Sequence, residues 1–325
     1  MKYNSEYYNK IIYKNKYSYL KEYNKELGFA KKWLCSFNLD KFISGIKKNE
    51  KCLIIMGIGI NGTPHLGTLY QIINAIYLQK KGYKVQIILG DLDVYSARLL
   101  DLKKINNLVK KYQKFIINLG FDIEKGILRT QYERDDILKT QYLISNKIEN
   151  NDFYEIEEEI NGIYKKEKVY NGMRFCVKQS IALMFADFID PIIKNEYEHV
   201  LVTSGIDEHG YVKKANDILN RINKSGTISG LFTEILPGLN EYPKMCKSLK
   251  KSTIDLDMKK SDIKKIIMNE KLDFLVINLI EKVSFYSEAI INKIKEDYNN
   301  EKKEWNNNKL QYVDELYEIC KKWRN

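Results

Sequence analysis

The chain has 325 residues, 44% hydrophobic and 30% charged, which allows one large domain or two of ordinary size with enough apolar side chains for a core. No apolar run is long enough to cross a bilayer, the opening stretch MKYNSEYYNKIIYKNKYSYL lacks a signal-peptide core, and the 5 cysteines show neither metal-ligand spacing nor the even count of a disulfide framework, so a cytoplasmic protein with no membrane association is expected. The net charge of +11 suits a polyanionic partner, but lysine abundant throughout a compositionally biased chain would give the same excess, and the sequence leaves both explanations standing.

Residues 1–50 are rich in tyrosine and lysine, with helical patterning around YSYLKEYNKELGFAKKWL. A pair of helices packed on the following domain is expected, and aromatics interleaved with lysines would also suit a nucleic-acid-facing extension. The stretch CLIIMGIGINGTPHLGTLYQIINAIYLQ, Cys52 to Gln79, then reads as a buried strand, a Gly-rich turn and an amphipathic helix, the first half of a βαβ crossover. Gly57, Gly59 and Gly62 let backbone approach a ligand closely, and the helix beginning near Gly67 turns its free amides toward an anion. His65 stands at that helix start and is one of only 3 histidines, so a role as donor to a bound phosphate competes with a purely structural one.

KVQIIL, residues 84–89, reads as the next parallel strand and ends in GDLDVY. Ligands of open parallel sheets sit beyond the carboxyl ends of strands, so Asp91 and Asp93 are placed to face a site, although either could serve instead as a helix cap. A long amphipathic helix closed by Gly120 follows, then a short strand in GILRTQ. Between Phe153 and Tyr170 the segments FYEIEEEI and IYKKEKVY flank Asn161-Gly162, a strong hairpin signal. Pairing them sets Glu158, Glu157 and Glu155 opposite Lys165, Lys166 and Lys168, contacts contributing a few tenths of a kcal/mol to about 1 kcal/mol each. SIALMFADFID (180–190) is an apolar helix with Asp187 in it, HVLVT (199–203) a buried strand leading into Gly205-Ile206-Asp207-Glu208-His209-Gly210, and YVKKANDILNRI a helix. Leu236-Pro237-Gly238-Leu239 leads to a lysine-bearing loop, Lys244-Met245-Cys246-Lys247-Ser248, and residues 256–325 are helical and polar.

Three of these segments resemble the signatures of one family in the family's order. Pro64-His65-Leu66-Gly67 is similar to the HIGH motif of class I aminoacyl-tRNA synthetases, Gly205–Gly210 to the G-x-D-Q-x-G segment of the tyrosyl enzymes, and Lys244–Ser248 departs from KMSKS only in Cys246. The resemblance spans roughly residues 50 to 255 and is nearest to the tyrosyl/tryptophanyl subgroup. It implies an α/β architecture with a Rossmann-like parallel-sheet nucleotide-binding domain over 51–255, into which the residues' own pattern inserts the hairpin 153–170, together with an N-terminal helical extension (1–50) and a C-terminal helical region (256–325).

The resemblance also assigns roles. His65 would hydrogen-bond the α-phosphate of ATP, Lys244 and Lys247 would hold the β- and γ-phosphates, and Thr68, in place of the second histidine of HIGH, would offer a hydroxyl. Gly57, Gly59 and Gly205 would let adenosine lie against backbone, Asp207 would accept from the ribose hydroxyls, and Ser248 completes the loop. Mg2+ would share the phosphate charge through water and phosphate oxygens without a dedicated protein cage. The amino-acid pocket falls on Ile55, Asp91, Asp93, Asp187 and Glu208. Ile55 stands where archaeal tyrosyl enzymes carry a tyrosine, Asp93 where they carry histidine and Glu208 where they carry glutamine, so ordinary tyrosine fits poorly. In that family the stretch around 153–170 is a mostly helical connection forming the dimer interface, and a hairpin there counts against such a homodimer. Three functions follow: amino-acid activation with ATP and transfer to tRNA, a paralogue passing the adenylate to another acceptor, and an inactive RNA-binding or regulatory homologue.

Overall fold

A computed structural model describes residues 5–20, 32–154, 156, 165, 172–300 and 302–325. Its seven-stranded sheet has the order β1-β2-β7-β6-β3-β4-β5, with β1 Ser18–Tyr19, β2 Cys35–Phe37, β3 Cys52–Gly59, β4 Val85–Gly90, β5 Ile127–Thr130, β6 His199–Gly205 and β7 Thr227–Thr233. Strands β7, β6, β3, β4 and β5 run parallel, and β1 and β2 add antiparallel at the β7 edge. From β3 the chain steps outward through β4 to β5, then returns to place β6 and β7 on the other side. The reversal lies between β3 and β6, where the carboxyl ends of two neighbouring strands leave a crevice.

β3 is apolar on both faces because helices cover both. Ile54, Met56 and Ile58 join one core with α2 (Leu39–Lys47), α3 (Leu66–Lys80) and α5 (Leu102–Leu119). Leu53 and Ile55 join the other with α1 (Ser5–Asn15), α6 (Asp135–Ser145), α8 (Phe175–Ile193) and α9 (His209–Arg221). The remaining helices are α4 (Asp91–Arg98), α7 (Asn150–Tyr154) and the C-terminal set α10 (Lys260–Ile267), α11 (Asp273–Lys282), α12 (Glu288–Asn300) and α13 (Lys302–Arg324). Side chains of α10, α11 and α13 belong to the same hydrophobic cluster as β3 and α3, so the C-terminal region shares the sheet's core.

Two expectations need correction. The N-terminal segment holds two helices, α1 and α2, but neither lies in the stretch 17–34 that carries the helical patterning. Ser18–Tyr19 of it form β1, residues 21–31 fall outside the described residues, and β2 follows at Cys35, the strands having 2 and 3 residues, lengths that give no readable alternation. β7, which sequence patterning passes over, is the strand they extend. The hairpin fails where it can be followed: Phe153 and Tyr154 lie in α7 and Lys165 is helical, while the Asn161-Gly162 turn falls outside the described residues. Asp152 is buried, taking Arg221 Nη1 at 2.6 Å and Nη2 at 3.0 Å, and Phe153 and Ile156 enter the second core. At Phe153, Tyr154 and Lys165 the helical backbone gives no hairpin to count against a homodimer.

Candidate active site

At the crevice the carboxyl ends of β3 and β6, the start of α3 and the 244–248 loop enclose a cleft of ≈ 270 Å³. Gly57, Gly59, His65, Thr68, Gly205, Asp207, Glu208, Lys244, Lys247 and Ser248 all line it. A Cβ at Gly57 would meet nothing within 4 Å, so the bare backbone faces open cleft. Gly205 does a different job: a Cβ there would lie 2.4 Å from Asp207 Oδ1, and its absence makes room for that carboxylate.

His65 is the N-cap of α3. Its Nδ1 accepts from the backbone N–H of Gly67 (3.0 Å) and Thr68 (3.3 Å), which fixes the proton of the neutral ring on Nε2. Gly67 permits this, since a Cβ there would sit 2.8 Å from His65 Cε1. Burial first, then the ammonium groups of Lys247 and Lys244, push the imidazole down to about 3, so it remains a neutral N–H donor throughout the physiological range. The same helix start is pinned from the far side of the loop, because Leu66 N–H donates to Ile254 O (3.1 Å) and Leu256 N–H to Pro64 O (3.0 Å).

The two loop lysines are held differently. Lys244 Nζ pairs with Asp207 Oδ2 at 2.8 Å, so the lysine assigned to phosphate and the aspartate assigned to ribose meet each other across the cleft. Lys247 Nζ donates to two neutral oxygens, Gly59 O at 3.1 Å and the Tyr112 hydroxyl at 2.8 Å. Burial lowers its pKa to about 7, against the raising effect of Asp255 and Cys246.

The acidic residues assigned to the amino-acid pocket lie apart. Ile55, fully buried on β3, and Asp91, Asp93 and Asp187 are absent from the cleft's lining. Asp91 Oδ1 accepts the N–H groups of Leu92 (2.9 Å), Gln131 (2.9 Å) and Tyr132 (3.2 Å), anchoring the turn after β5. Asp93 takes Ser180 Oγ (2.9 Å) and Gln131 Nε2 (3.0 Å); the same Nε2 reaches Asp187 Oδ2 at 2.7 Å, and Asp187 Oδ1 pairs with Arg129 Nη2 at 2.8 Å. Burial, and then the neighbouring Asp187 carboxylate, push Asp93 up to about 7. Asp187 is raised by burial, opposed by Arg129 and Gln131. Only Glu208 of this group borders the cleft.

Sequence patterning missed Gln71, Arg98, Glu234 and Tyr112. Gln71 lines the cleft, donates to Thr233 Oγ1 at 3.1 Å and keeps a buried Oε1 with no partner. On the sequence it is one polar position in an apolar helix. Tyr112 likewise is one aromatic of an amphipathic helix, with no motif around it.

The family described as tRNA synthetases class I (W and Y) matches residues 47–323 of this chain. Among curated relatives, the tryptophan–tRNA ligase of Methanocaldococcus jannaschii is 26% identical over 244 residues, 72% of this chain and 62% of that protein. The tryptophan–tRNA ligase of Aeropyrum pernix is 24% identical over 229 residues, 67% of this chain and 57% of that one. The chain thus spans less than two thirds of the length of these relatives. Among solved structures, the tryptophanyl-tRNA synthetase of Aeropyrum pernix K1 superposes with a TM-score of 0.78 at 17% identity, covering 98% of this chain and 94% of that one. That of Encephalitozoon cuniculi bound to tryptophan gives 0.75 at 17% identity, covering 97% and 96%. At these identities the likeness speaks for the fold.

Proposed function

We propose, from the premise that this chain belongs to the class I tRNA synthetases (W and Y), as the match over residues 47–323 shows, that it activates an amino acid with ATP and transfers it to tRNA. The observation that carries the reading is the convergence of the three ordered motifs on one open cleft. In the first step a substrate carboxylate oxygen attacks the α-phosphorus of ATP, the bond to the bridging oxygen breaks and pyrophosphate leaves. In the second a ribose hydroxyl at the 3′ end of tRNA attacks the carbonyl carbon of the adenylate and displaces AMP.

The protein contributes position and charge to this chemistry, with no covalent nucleophile. His65, held neutral with its proton on Nε2, donates to the α-phosphate as negative charge builds there. Lys247 meets the charge of the leaving pyrophosphate from its place beside Gly59. Lys244, paired with Asp207, reaches a phosphate only when a ligand divides the pair, and Asp207 is then available to ribose hydroxyls. The bare backbone at Gly57 leaves room for adenosine. Mg2+, when bound with ATP, would share the phosphate charge through water and phosphate oxygens.

The names of the relatives make tryptophan the first amino acid to try. The test is ATP–pyrophosphate exchange with each amino acid, followed by transfer of the labelled amino acid to total tRNA. Exchange with one amino acid and labelling of the tRNA 3′ end are expected. Exchange without tRNA labelling would assign the adenylate to a different acceptor, and failure of both would end the enzyme reading.

A further inference from the structure

Helix α5 brings Tyr112 into contact with both motif segments. The side chain is fully buried. Its hydroxyl donates to Gly62 O (2.9 Å), in the turn before His65, and accepts from Lys247 Nζ (2.8 Å) in the loop. On its other side the ring meets the edge of Trp323 near the end of α13, with centroids 5.0 Å apart. Trp323 is itself fixed: its Nε1 donates to Asp257 Oδ1 at 3.0 Å, and the other Asp257 oxygen takes the Thr63 hydroxyl, two residues before His65. The neighbouring Arg324 donates to the carbonyl of Leu256 (3.2 Å), within the segment that pairs with Pro64 and Leu66. The end of the last helix, the turn before His65 and the loop lysine are therefore joined through one tyrosine.

We propose that Tyr112 is a positioning residue that docks the Lys247 ammonium against Gly59, and that Trp323 holds Tyr112 in place, so that the C-terminal helix sets the geometry of the phosphate chemistry. The proposal rests on the function given above. Its physical logic lies in the choice of acceptor. A hydroxyl and a carbonyl fix where the ammonium sits without cancelling the charge that a leaving pyrophosphate requires. A carboxylate in that place would compete with the phosphate, as Asp207 does for Lys244. The buried hydroxyl also stabilises the ammonium in surroundings that otherwise disfavour it. The other charged or titratable groups acting on Lys247 are Asp255 and Cys246, on its own loop segment, and the charge of Lys247 in turn acts on His65.

The test uses the full chain and two readouts. In the first, acetic anhydride labelling of Lys247 is followed against pH by mass spectrometry, with a wild-type midpoint near 7. Tyr112→Phe keeps the ring against Trp323 and removes only the hydroxyl. It should lower the midpoint by about one pH unit, the size of a lost charge-assisted hydrogen bond. In the second, the same variant should slow single-turnover adenylate formation about tenfold while changing ATP affinity less. Trp323→Phe, which loses the bond to Asp257, should shift both readouts in the same direction by less. Tyr298→Phe, in a tyrosine that packs on Trp305 instead, should move neither. An unmoved midpoint with an unchanged rate in Tyr112→Phe would overturn the docking role. An effect of Tyr112→Phe with none from Trp323→Phe would overturn the part given to the helix end. If the wild type forms no adenylate with any amino acid, the proposed function fails, and the labelling shift still decides the docking.

Discussion

His65 and Asp93 both follow parallel strands at the carboxyl edge of the sheet, β3 and β4, and both are buried enough to move far from their ordinary pKa values. Their surroundings differ in what they leave over. His65 spends one ring nitrogen on capping α3 and keeps the other as a donor at an open cleft. Asp93 spends both oxygens, on Ser180 and Gln131, and the aspartate beyond Gln131 is paired with Arg129. What distinguishes the phosphate side is polar capacity that the protein leaves unused and aims at space. On the acidic side each carboxylate oxygen of Asp93 and Asp187 has a protein donor.

The largest expected effect tests whether that network is closed. Arg129 and Asp187 have side chains only 7% and 3% exposed, so Arg129→Leu should leave a buried carboxylate without its cation and cost about 3–5 kcal/mol in urea unfolding. A loss under about 1 kcal/mol would mean that water reaches Asp187, and the acidic side would then count as part of the cleft. On the phosphate side the cost should appear in rate. His65→Ala and Lys247→Ala should each slow adenylate formation by the equivalent of about 2.7–4 kcal/mol, the usual cost of losing a donor to developing charge. His65→Ala should lose about 1 kcal/mol of stability as well, since it uncaps α3. Wild-type rates in both variants would leave the cleft without its assigned chemistry.

The difference between the two sides also explains how far the sequence could be read. Gly57, His65, Asp207 and Lys247 were legible because each sits in a short motif whose spacing carries a local geometry, and they converge on one cleft. The fold class was legible from buried strands alternating with helices. Asp91 and Asp93 were legible as residues at a strand end and Asp187 as one acidic residue in an apolar helix, but the direction of a carboxylate depends on Gln131, Arg129 and Ser180, which are distant in sequence. β7 escaped because Gly230 interrupts its apolar pattern, and that glycine is needed by the ring of Phe232, whose Cζ would lie 2.3 Å from an added Cβ. At the described start of the hairpin pattern, Phe153 and Tyr154 are helical, and Asp152 and Phe153 are buried, contacts that the charge alternation gives no sign of.

A smaller effect concerns pH. Asp93 has its folded-state pKa raised from 3.8 to about 7, so the folded protein binds the proton more tightly than the unfolded chain between those values. The stability contributed by the protonated carboxyl is complete below 3.8 and is lost as pH rises through about 7. One such group gives a slope of at most about 1.4 kcal/mol per pH unit. Asp93→Asn should flatten that slope and be relatively more stable than wild type at neutral pH, in urea titrations repeated across the window. An unchanged slope would show that Asp93 is ionised and solvated, and the contrast with His65 would fail.

The smallest expected effect on stability is the sharpest on the cleft. Gly57 has no positive φ and an added Cβ would meet no atom within 4 Å, so Gly57→Ala should leave stability within about 0.5 kcal/mol of wild type. Gly230→Ala, on β7 three places before Thr233, should cost about 1–3 kcal/mol, because Phe232 is fully buried and its ring has to give way. The two variants add the same methyl group to strands of the same sheet, so any difference between them measures space. If the space beside Gly57 is where adenosine lies, its methyl should weaken ATP binding several-fold in equilibrium dialysis while Gly230→Ala leaves ATP affinity unchanged in whatever fraction remains folded. Normal ATP affinity in Gly57→Ala would move the nucleotide away from β3, and the empty space beside that glycine would need another occupant.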